Sequence, residues 1–214
     1  SLGVVSKQAE IITGGVSQMR VCKNEATFFL FVQLANINNR TFTLNGRNFT
    51  MNGYYNIISI GEEKFDYLAH FSVSKQNVRL IAANNSHLFV LNQDYSLNAF
   101  TTAKLQLVPV PFGISALPQS TLSIDVNKEC LFCACSDNKL RIYSIASGQR
   151  LQEITTVLNL SQVNVVSDSS VTAFDNSSNK IELFEADKAK KQFALKKQVD
   201  LAQLGKDLQL VRGK

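Results

Sequence analysis

The chain has 214 residues, of which 45% are hydrophobic and 18% are charged, a balance typical of a globular protein with a sizeable core. No apolar run approaches the ~18 residues of a membrane-spanning helix, and we expect no membrane partner. The net charge is +5, and all of this excess lies in residues 187–214, where eight Lys or Arg face three Asp.

The first strand-like region covers residues 20–60. Residues 26–34 form a long apolar run, and the segments 41–44 and 49–51 flank an Asn45-Gly46 pair. Asn-Gly is the preferred two-residue connection of a β-hairpin. We interpret this region as a first, irregular four-stranded unit.

A second unit is predicted over residues 66–103, with strands at 69–73, 78–83, 85–92 and 95–100. Residues 104–118 contain all three prolines of the chain and are interpreted as an inserted loop.

The third unit, residues 119–156, has the clearest pattern. In the stretch S-D-N-K-L-R-I-Y-S-I-A-S-G (136–148), alternation predicts a half-buried strand with Leu140 and Ile142 inward and Arg141 outward. Polar turn residues precede and follow this strand. The neighbouring strands 122–126, 130–135 and 150–154 complete an antiparallel meander.

A fourth unit is predicted over residues 160–200, and the same pattern recurs along the chain. Residues 137–144 align with 178–185 at an offset of 41 residues and with 85–92 at an offset of 52, and residues 38–45 give a fainter copy. Four strands per ~40–50 residues is the spacing of β-propeller blades, which bury both faces by stacking radially.

Residues 69–200 resemble divergent WD repeats. Tyr143-Ser144 stands where that family often has Trp-Asp, with Phe184-Glu185 and Leu91-Asn92 in the sister copies, and Cys133-Ala134-Cys135-Ser136 supplies the small residues of the second strand. The chain has no Trp and no Gly-His dipeptide, so the hydrogen-bond network of that family is missing. The resemblance implies an all-β propeller that serves as a protein-interaction scaffold.

We therefore expect residues 1–214 to form a single propeller domain with about four visible blades and a short C-terminal segment, 201–214. WD-type rings usually close with about seven blades. Closure by another chain, by segments missing from this sequence, or by a compact four-blade ring all remain open. In the C-terminal segment, a helix capped by Asp200 and a last strand at 208–212 are equally supported.

Three of the four cysteines, Cys130, Cys133 and Cys135, crowd into one strand. Alternation places Cys133 and Cys135 on one face and Cys130 on the other, and His70 and His87 are remote, so we expect buried thiols and no metal or cofactor. This spacing does not suit a disulfide framework and indicates an intracellular protein, cytoplasmic or nuclear, although five Asn-X-Ser/Thr sequons argue for secretion.

The chain shows none of the sequence motifs typical of hydrolases, metalloproteases or nucleotide-binding enzymes, so we expect no enzyme activity. An enzyme that uses a propeller face ranks third among the functional hypotheses.

The leading hypothesis is a non-catalytic scaffold or subunit of a multiprotein complex. The alternative is an RNA-associated propeller subunit whose backbone-contacting residues are Lys188, Lys190, Lys191, Lys196 and Lys197. Only Phe193 interrupts these lysines, so a solvated hairpin tip between the third and fourth strands of the last unit is the preferred interpretation.

Overall fold

The computed structural model describes the backbone of residues 16–24, 27–34, 40–44, 47–51 and 56–61, and the backbone and side chains of residues 78–101, 108–187 and 192–203. The chain divides into two compact units, one comprising Ser1–Asn77 and Ala103–Leu107 and the other Val78–Thr102 and Val108–Lys214. The prediction that all 214 residues belong to a single propeller domain remains a prediction.

In its described residues, the first unit contains two antiparallel sheets. One consists of β1 (Val16–Asn24), β2 (Thr27–Leu34) and β5 (Asn56–Gly61) in the order β1-β2-β5, and the other is the hairpin of β3 (Arg40–Leu44) and β4 (Arg47–Met51). In the hairpin, Leu44 lies opposite Arg47, so two residues separate the paired ends in the sequence, which agrees with the predicted two-residue connection.

The second unit contains three four-stranded antiparallel sheets, each a meander of consecutive strands. Sheet I comprises β6 (Val78–Ala83), β7 (His87–Asn92), β8 (Leu97–Thr101) and β9 (Val108–Val110). Sheet II comprises β10 (Thr121–Val126), β11 (Cys130–Cys135), β12 (Lys139–Ser144) and β13 (Arg150–Thr155). Sheet III comprises β14 (Gln162–Ser167), β15 (Ser170–Asp175), β16 (Lys180–Asp187) and β17 (Gln192–Asp200).

The three sheets follow one repeat, but the predicted alignment of sheet I is wrong by one strand. Positive φ angles mark the turn between the second and third strands of each sheet, at Tyr95, Asn138 and Asn179. Residues 85–92 therefore belong to the second strand, and Phe100-Thr101 is the counterpart of Tyr143-Ser144. The error arose because both turns of a blade are rich in Asn, Asp and Ser, so a short window fits either turn.

Two further predictions fall at the borders of sheet I. The strand expected at residues 69–73 lies outside the described residues. The proline-containing loop is not a simple insertion, because it supplies β9, which pairs with β8 through Ala99 opposite Val110.

Sheets I, II and III pack face to face through two apolar clusters. Sheet I and sheet II enclose one that includes Phe89, Leu97, Leu131 and Cys133. Sheet II and sheet III enclose a second, whose members include Phe132, Leu140, Ile142, Val171, Ala173 and Phe184. Leu140 and Ile142 are 0% and 1% exposed, which confirms their inward orientation.

Sheet II is consequently covered on both faces, and this corrects the prediction for Arg141. Alternation assigns residues to opposite faces of a strand, but it does not determine whether the second face meets water or another sheet. Arg141 is 7% exposed and lies on the face that packs towards sheet I.

An amide ladder links the turns between the first and second strands of the three sheets. Asn84 Nδ2 donates to the Asn127 carbonyl at 2.6 Å, and Asn127 Nδ2 donates to the Asp168 carbonyl at 2.9 Å. Within its own turn, Asn127 Oδ1 accepts the N–H groups of Glu129 and Cys130 at 2.9 and 2.7 Å. Each of these amides therefore closes its own turn and ties it to the next sheet.

At the end of sheet III, Asp200 caps a short helical turn at residues 201–203. Its Oδ1 accepts the N–H groups of Ala202 and Gln203 at 2.9 and 3.3 Å. This geometry agrees with the predicted N-cap, and the alternative strand at 208–212 lies outside the described residues.

Asn127→Ala should lower the free energy of unfolding by about 1–3 kcal/mol, because the buried N–H of Cys130, the part-buried N–H of Glu129 and the Asp168 carbonyl lose their partner. Asn127→Asp keeps the acceptor and loses the donor, so its effect should be smaller. Urea denaturation measures both. The exposed Asn176→Ala is the control and should change stability by less than about 0.5 kcal/mol. Equal losses for Asn127→Ala and Asn176→Ala would show that the ladder does not stabilise the stack.

Candidate interaction surfaces

A groove of about 570 Å³ opens between sheets I and II and is called the inter-sheet groove below. Its apolar lining comes from strands of both sheets and from the loop after β9: Ala99, Val110, Phe112 and Leu151. Leu151 lines the groove and is 54% exposed, which is high for a leucine. Phe112 is held in place by an edge contact with Phe89, whose ring centroid is 5.2 Å away.

Two backbone segments meet beside the groove with no space for side chains. A Cβ atom on Gly113 would lie 2.0 Å from the Ser147 carbonyl oxygen, and one on Gly148 would lie 2.3 Å from the Gly113 nitrogen. Gly148 also has a φ of 70°, which glycine adopts without strain. The loop after β9 is therefore fixed against the turn between β12 and β13.

The polar groups of the groove are His87, Lys128, Glu129 and Ser144. Burial lowers the pKa of His87, so its imidazole is neutral at pH 7, and its Nδ1 lies 2.9 Å from Ser86 Oγ. Burial and the neighbouring Glu129 raise the pKa of the Cys130 thiol to about 11, so this thiol is protonated and a poor nucleophile. These groups are suited to hydrogen bonding rather than to nucleophilic catalysis.

The cysteines lie as the strand pattern predicts. Cys133 and Cys135 are buried between sheets I and II, whereas Cys130 is buried between sheets II and III. All three are free thiols, and burial raises the pKa of Cys133 well above its usual range. Within the described residues, no three His, Cys, Asp or Glu side chains are arranged to hold a metal ion; His70 is not among these residues.

Arg141 is the centre of a charged cluster on sheet II. Its guanidinium donates to both carboxylate oxygens of Asp137, at 3.0 and 2.5 Å, and to Glu153 Oε2 at 3.0 Å. Lys139 and Arg150 also pair with Glu153. The Arg141 guanidinium lowers the pKa of Asp137, and Lys139 followed by the arginines lowers that of Glu153. The cluster is fully paired and therefore structural.

Glu182 occupies the position in sheet III that Arg141 occupies in sheet II, and among the described residues no cation pairs with it. It is 1% exposed, its Oε2 has no hydrogen-bond partner, and the Val157 backbone donates to its carboxyl group. Burial raises the pKa of this carboxyl group above its usual 4.5. Glu182 is thus a buried acid between sheets II and III.

The predicted phosphate-contacting lysines are only partly described. Lys188, Lys190 and Lys191 lie outside the described residues. Lys196 is exposed and lies 3.7 Å from Glu185, and Lys197 is exposed on β17 opposite Leu183. The phosphate-contact role of the five lysines therefore remains a prediction.

Sequence reasoning missed the inter-sheet groove because it treated residues 104–118 as an insertion. The available signal was the apolar run Val110-Pro111-Phe112 followed by Gly113. Apolar residues in a proline-rich loop indicate packing against the body of the protein. The partner of that loop, the turn at Ser147-Gly148, was predicted as a turn but could not be paired with it from the sequence.

No known protein family and no curated protein matches the sequence. Solved structures match its fold: Kluyveromyces lactis Hsv2 with complete loop 6CD has a TM-score of 0.56 at 8% identity, covering 87% of this chain and 74% of Hsv2. The WD40 repeats of RRP9 match with a TM-score of 0.50 at 9% identity, covering 84% of this chain and 65% of RRP9. The computationally designed Ika4 protein also matches, with a TM-score of 0.50 at 10% identity, covering 83% and 95%.

The fold is therefore all-β and WD40-like, and the three four-stranded sheets are consistent with part of a β-propeller. No helix in the described part of the chain is long and apolar enough to cross a membrane.

Glu182 should contribute a decline in the free energy of unfolding as the pH rises above 4.5, because it ionises in the unfolded chain before it ionises in the folded one. The lowered pKa of His87 acts in the opposite sense, so the comparison with Glu182→Gln isolates the Glu182 contribution. Well below that pH, Glu182 is protonated in both the folded and the unfolded state, so its burial costs no ionisation energy. Above the pKa of the folded state, the full cost of burying the ionised carboxylate lowers the stability. Glu182→Gln should flatten this decline and be the more stable protein at pH 7. Urea titrations of both proteins at pH 4 to 8 measure the free energy of unfolding.

Glu185→Gln, on the same strand but exposed, is the matched control and should change stability by less than about 0.5 kcal/mol. An identical pH profile for the wild type and Glu182→Gln would show that Glu182 is not held in a desolvated site.

Proposed function

We propose that the chain is a non-catalytic protein-interaction platform and a subunit of a multiprotein complex in the cytoplasm or nucleus. WD40-like propellers are typically interaction scaffolds, and the inter-sheet groove is the observation that carries the proposal here. Its occupant is an extended peptide segment of a partner protein that inserts an apolar side chain. The three free thiols support a reducing compartment.

The lining of the groove supports a peptide ligand. Ala99, Val110 and Leu151 offer an apolar floor, and Ser144, His87 and Glu129 place neutral and acidic hydrogen-bonding groups around it. Binding sites commonly combine a mainly apolar concave surface of ~300–1,000 Å³ with a few polar groups that orient the ligand. An apolar side chain flanked by backbone amides meets both requirements.

The rigidity of the groove also supports binding. The glycine contact between Gly113 and Gly148 fixes the loop that carries Phe112, and Phe112 in turn contacts the buried Phe89. A preformed surface loses little conformational entropy when a ligand docks, so more of the contact energy appears as affinity.

A photo-crosslinking amino acid in place of Ala146, which lines the groove, should trap a discrete partner in the native cell. Leu151→Asp in the same chain should reduce that adduct about tenfold, because it places a carboxylate in the apolar floor. Crosslinked products are quantified by mass spectrometry.

Leu195→Asp is the matched control, because Leu195 is 53% exposed on sheet III and Leu151 is 54% exposed in the groove. An adduct that survives Leu151→Asp, or that Leu195→Asp removes equally, would contradict docking in the groove. Unfolding midpoints of both variants establish that they are folded.

RNA association is the second candidate function, and the concentration of the whole net charge in residues 187–214 favours it. Lys197 is exposed, and Lys196 makes only a surface ion pair with Glu185. Phe193, the aromatic residue among these lysines, is 8% exposed and packs 5.1 Å from Phe132, so it offers no stacking surface for a base. The contact would therefore be electrostatic and independent of sequence.

Lys190→Ala with Lys191→Ala tests this role. If these lysines contact phosphates, log K against log salt should fall with a slope near −0.7 per contact on single strands, and the double variant should reduce the slope by about one to two. We expect weak binding of about 10⁻⁴–10⁻⁶ M, typical of non-specific contact. Filter binding across a salt series measures the affinity for single-stranded RNA. Tight binding by the wild type that is lost in the double variant would favour the RNA role.

A further inference from the structure

We propose that the outer face of sheet III docks a further antiparallel β-sheet supplied by a partner chain. This outer face consists of the side chains of sheet III that point away from sheet II: Gln162, Asn164, Thr172, Phe174, Ile181, Leu183, Lys197 and Val199. The proposal deepens the interaction-platform function by naming a second surface and the kind of partner that it fits.

In the two preceding sheets, the corresponding face lies in a sheet-to-sheet interface. In sheet II, the face towards sheet III is made by Phe132, Ala134, Leu140 and Ile142, which are 0–1% exposed. The strand pairing places Thr172, Phe174, Ile181 and Leu183 at the corresponding positions of sheet III.

The same positions are buried in sheet I as well, where Phe89, Leu91, Leu97 and Ala99 lie against sheet II. In sheet III they are only partly buried. The outer face therefore continues the established packing beyond the last described sheet.

Its central rows are apolar. Phe174, Ile181 and Val199 form one cross-strand row, and Leu183 lies in the next row between Thr172 and Lys197. Four large apolar side chains on one face of a sheet form a patch that soluble proteins usually cover. On the opposite face of the same sheet, Val171, Ala173 and Phe184 are 0–1% exposed.

The polar residues at both margins indicate that the occupant is a β-sheet rather than a helix. Between sheets II and III, Ser123 Oγ and Asp125 Oδ2 accept the backbone N–H groups of Val163 and Val165, at 3.2 and 2.7 Å. These bonds join the first strands of the two sheets. Gln162 and Asn164 occupy the positions of Ser123 and Asp125 in sheet III and are exposed.

The outermost strands are joined in a similar way. The Gln152 side chain donates to the Phe193 carbonyl at 2.7 Å and accepts the Phe193 N–H at 2.9 Å. Lys197 stands at the position of Gln152 and carries only donors, so its partner is a backbone carbonyl or a carboxylate. Another propeller blade would present backbone groups to the polar residues at both margins of the outer face and apolar side chains to the rows between them.

The Hsv2 structure extends beyond the part that it shares with this chain. The shared part covers 74% of the Hsv2 chain, so about a quarter of that structure has no counterpart in this chain. A propeller sheet added to the outer face would bury the apolar rows in the same way as sheet III buries those of sheet II.

The test places a photo-crosslinking amino acid in place of Leu183 and, in a matched control, in place of Val157, an 82% exposed residue in the loop before sheet III. In the native cell, position 183 should yield an adduct with a different polypeptide, crosslinked at a residue in a β-strand, and position 157 should not. Ile181→Asp should reduce the adduct about tenfold. Val157→Asp should leave it unchanged.

Other outcomes overturn the proposal. An adduct with a second copy, confirmed by dimerisation in sedimentation, would assign the face to self-association. An intrachain adduct, a crosslink to a helix or to nucleic acid, or equal yields from positions 183 and 157 would also reject it. Leu151→Asp separates the two surfaces, because it should reduce the groove adduct about tenfold and leave the adduct at position 183 unchanged, so either surface can fail alone.

Discussion

Each four-stranded sheet in this protein has two apolar faces, and this constraint determines most of what surrounds it. Sheet II satisfies the constraint by packing between sheets I and III, so even Arg141, in an alternating strand, is buried. Arg141 is tolerated because Asp137 and Glu153 pair with it. At the corresponding position of sheet III, Glu182 is buried with one carboxylate oxygen unpartnered, which makes the interface between sheets II and III sensitive to protonation.

Apolar packing alone would allow the sheets to slide, and specific hydrogen bonds fix their relative position. The amide ladder through Asn84 and Asn127 joins the turns, while Ser123, Asp125 and Gln152 join strands of sheet II to backbone groups of sheet III. Because side chains reach backbone groups in each case, the ties do not depend on which side chains the next sheet carries. WD repeats with their usual Trp-Asp and Gly-His residues use a different network, and this chain lacks those residues.

The sequence was sufficient to predict the strands and antiparallel meanders of sheets II and III, the opposite faces of Cys130 and Cys133, and the inward orientation of Leu140, because these follow from period-two alternation and local turn chemistry. It was not sufficient for the register of the repeat in sheet I, where two turns of similar composition lie one strand apart. It also missed the burial of Arg141 and the inter-sheet groove. Both depend on contacts between segments distant in sequence, such as Gly113 with Ser147, which a pattern within one strand does not contain.

The two proposed surfaces differ in the kind of partner that they favour. The inter-sheet groove is concave and framed by fixed backbone, so it suits a short segment that contributes one apolar anchor. The outer face of sheet III is one side of a four-stranded sheet and carries polar groups at its margins, so it favours a partner that is itself a sheet. An apolar sheet face of this kind also favours unwanted association when it is uncovered. Covering it therefore stabilises the sheet stack and specifies the partner through the same contacts.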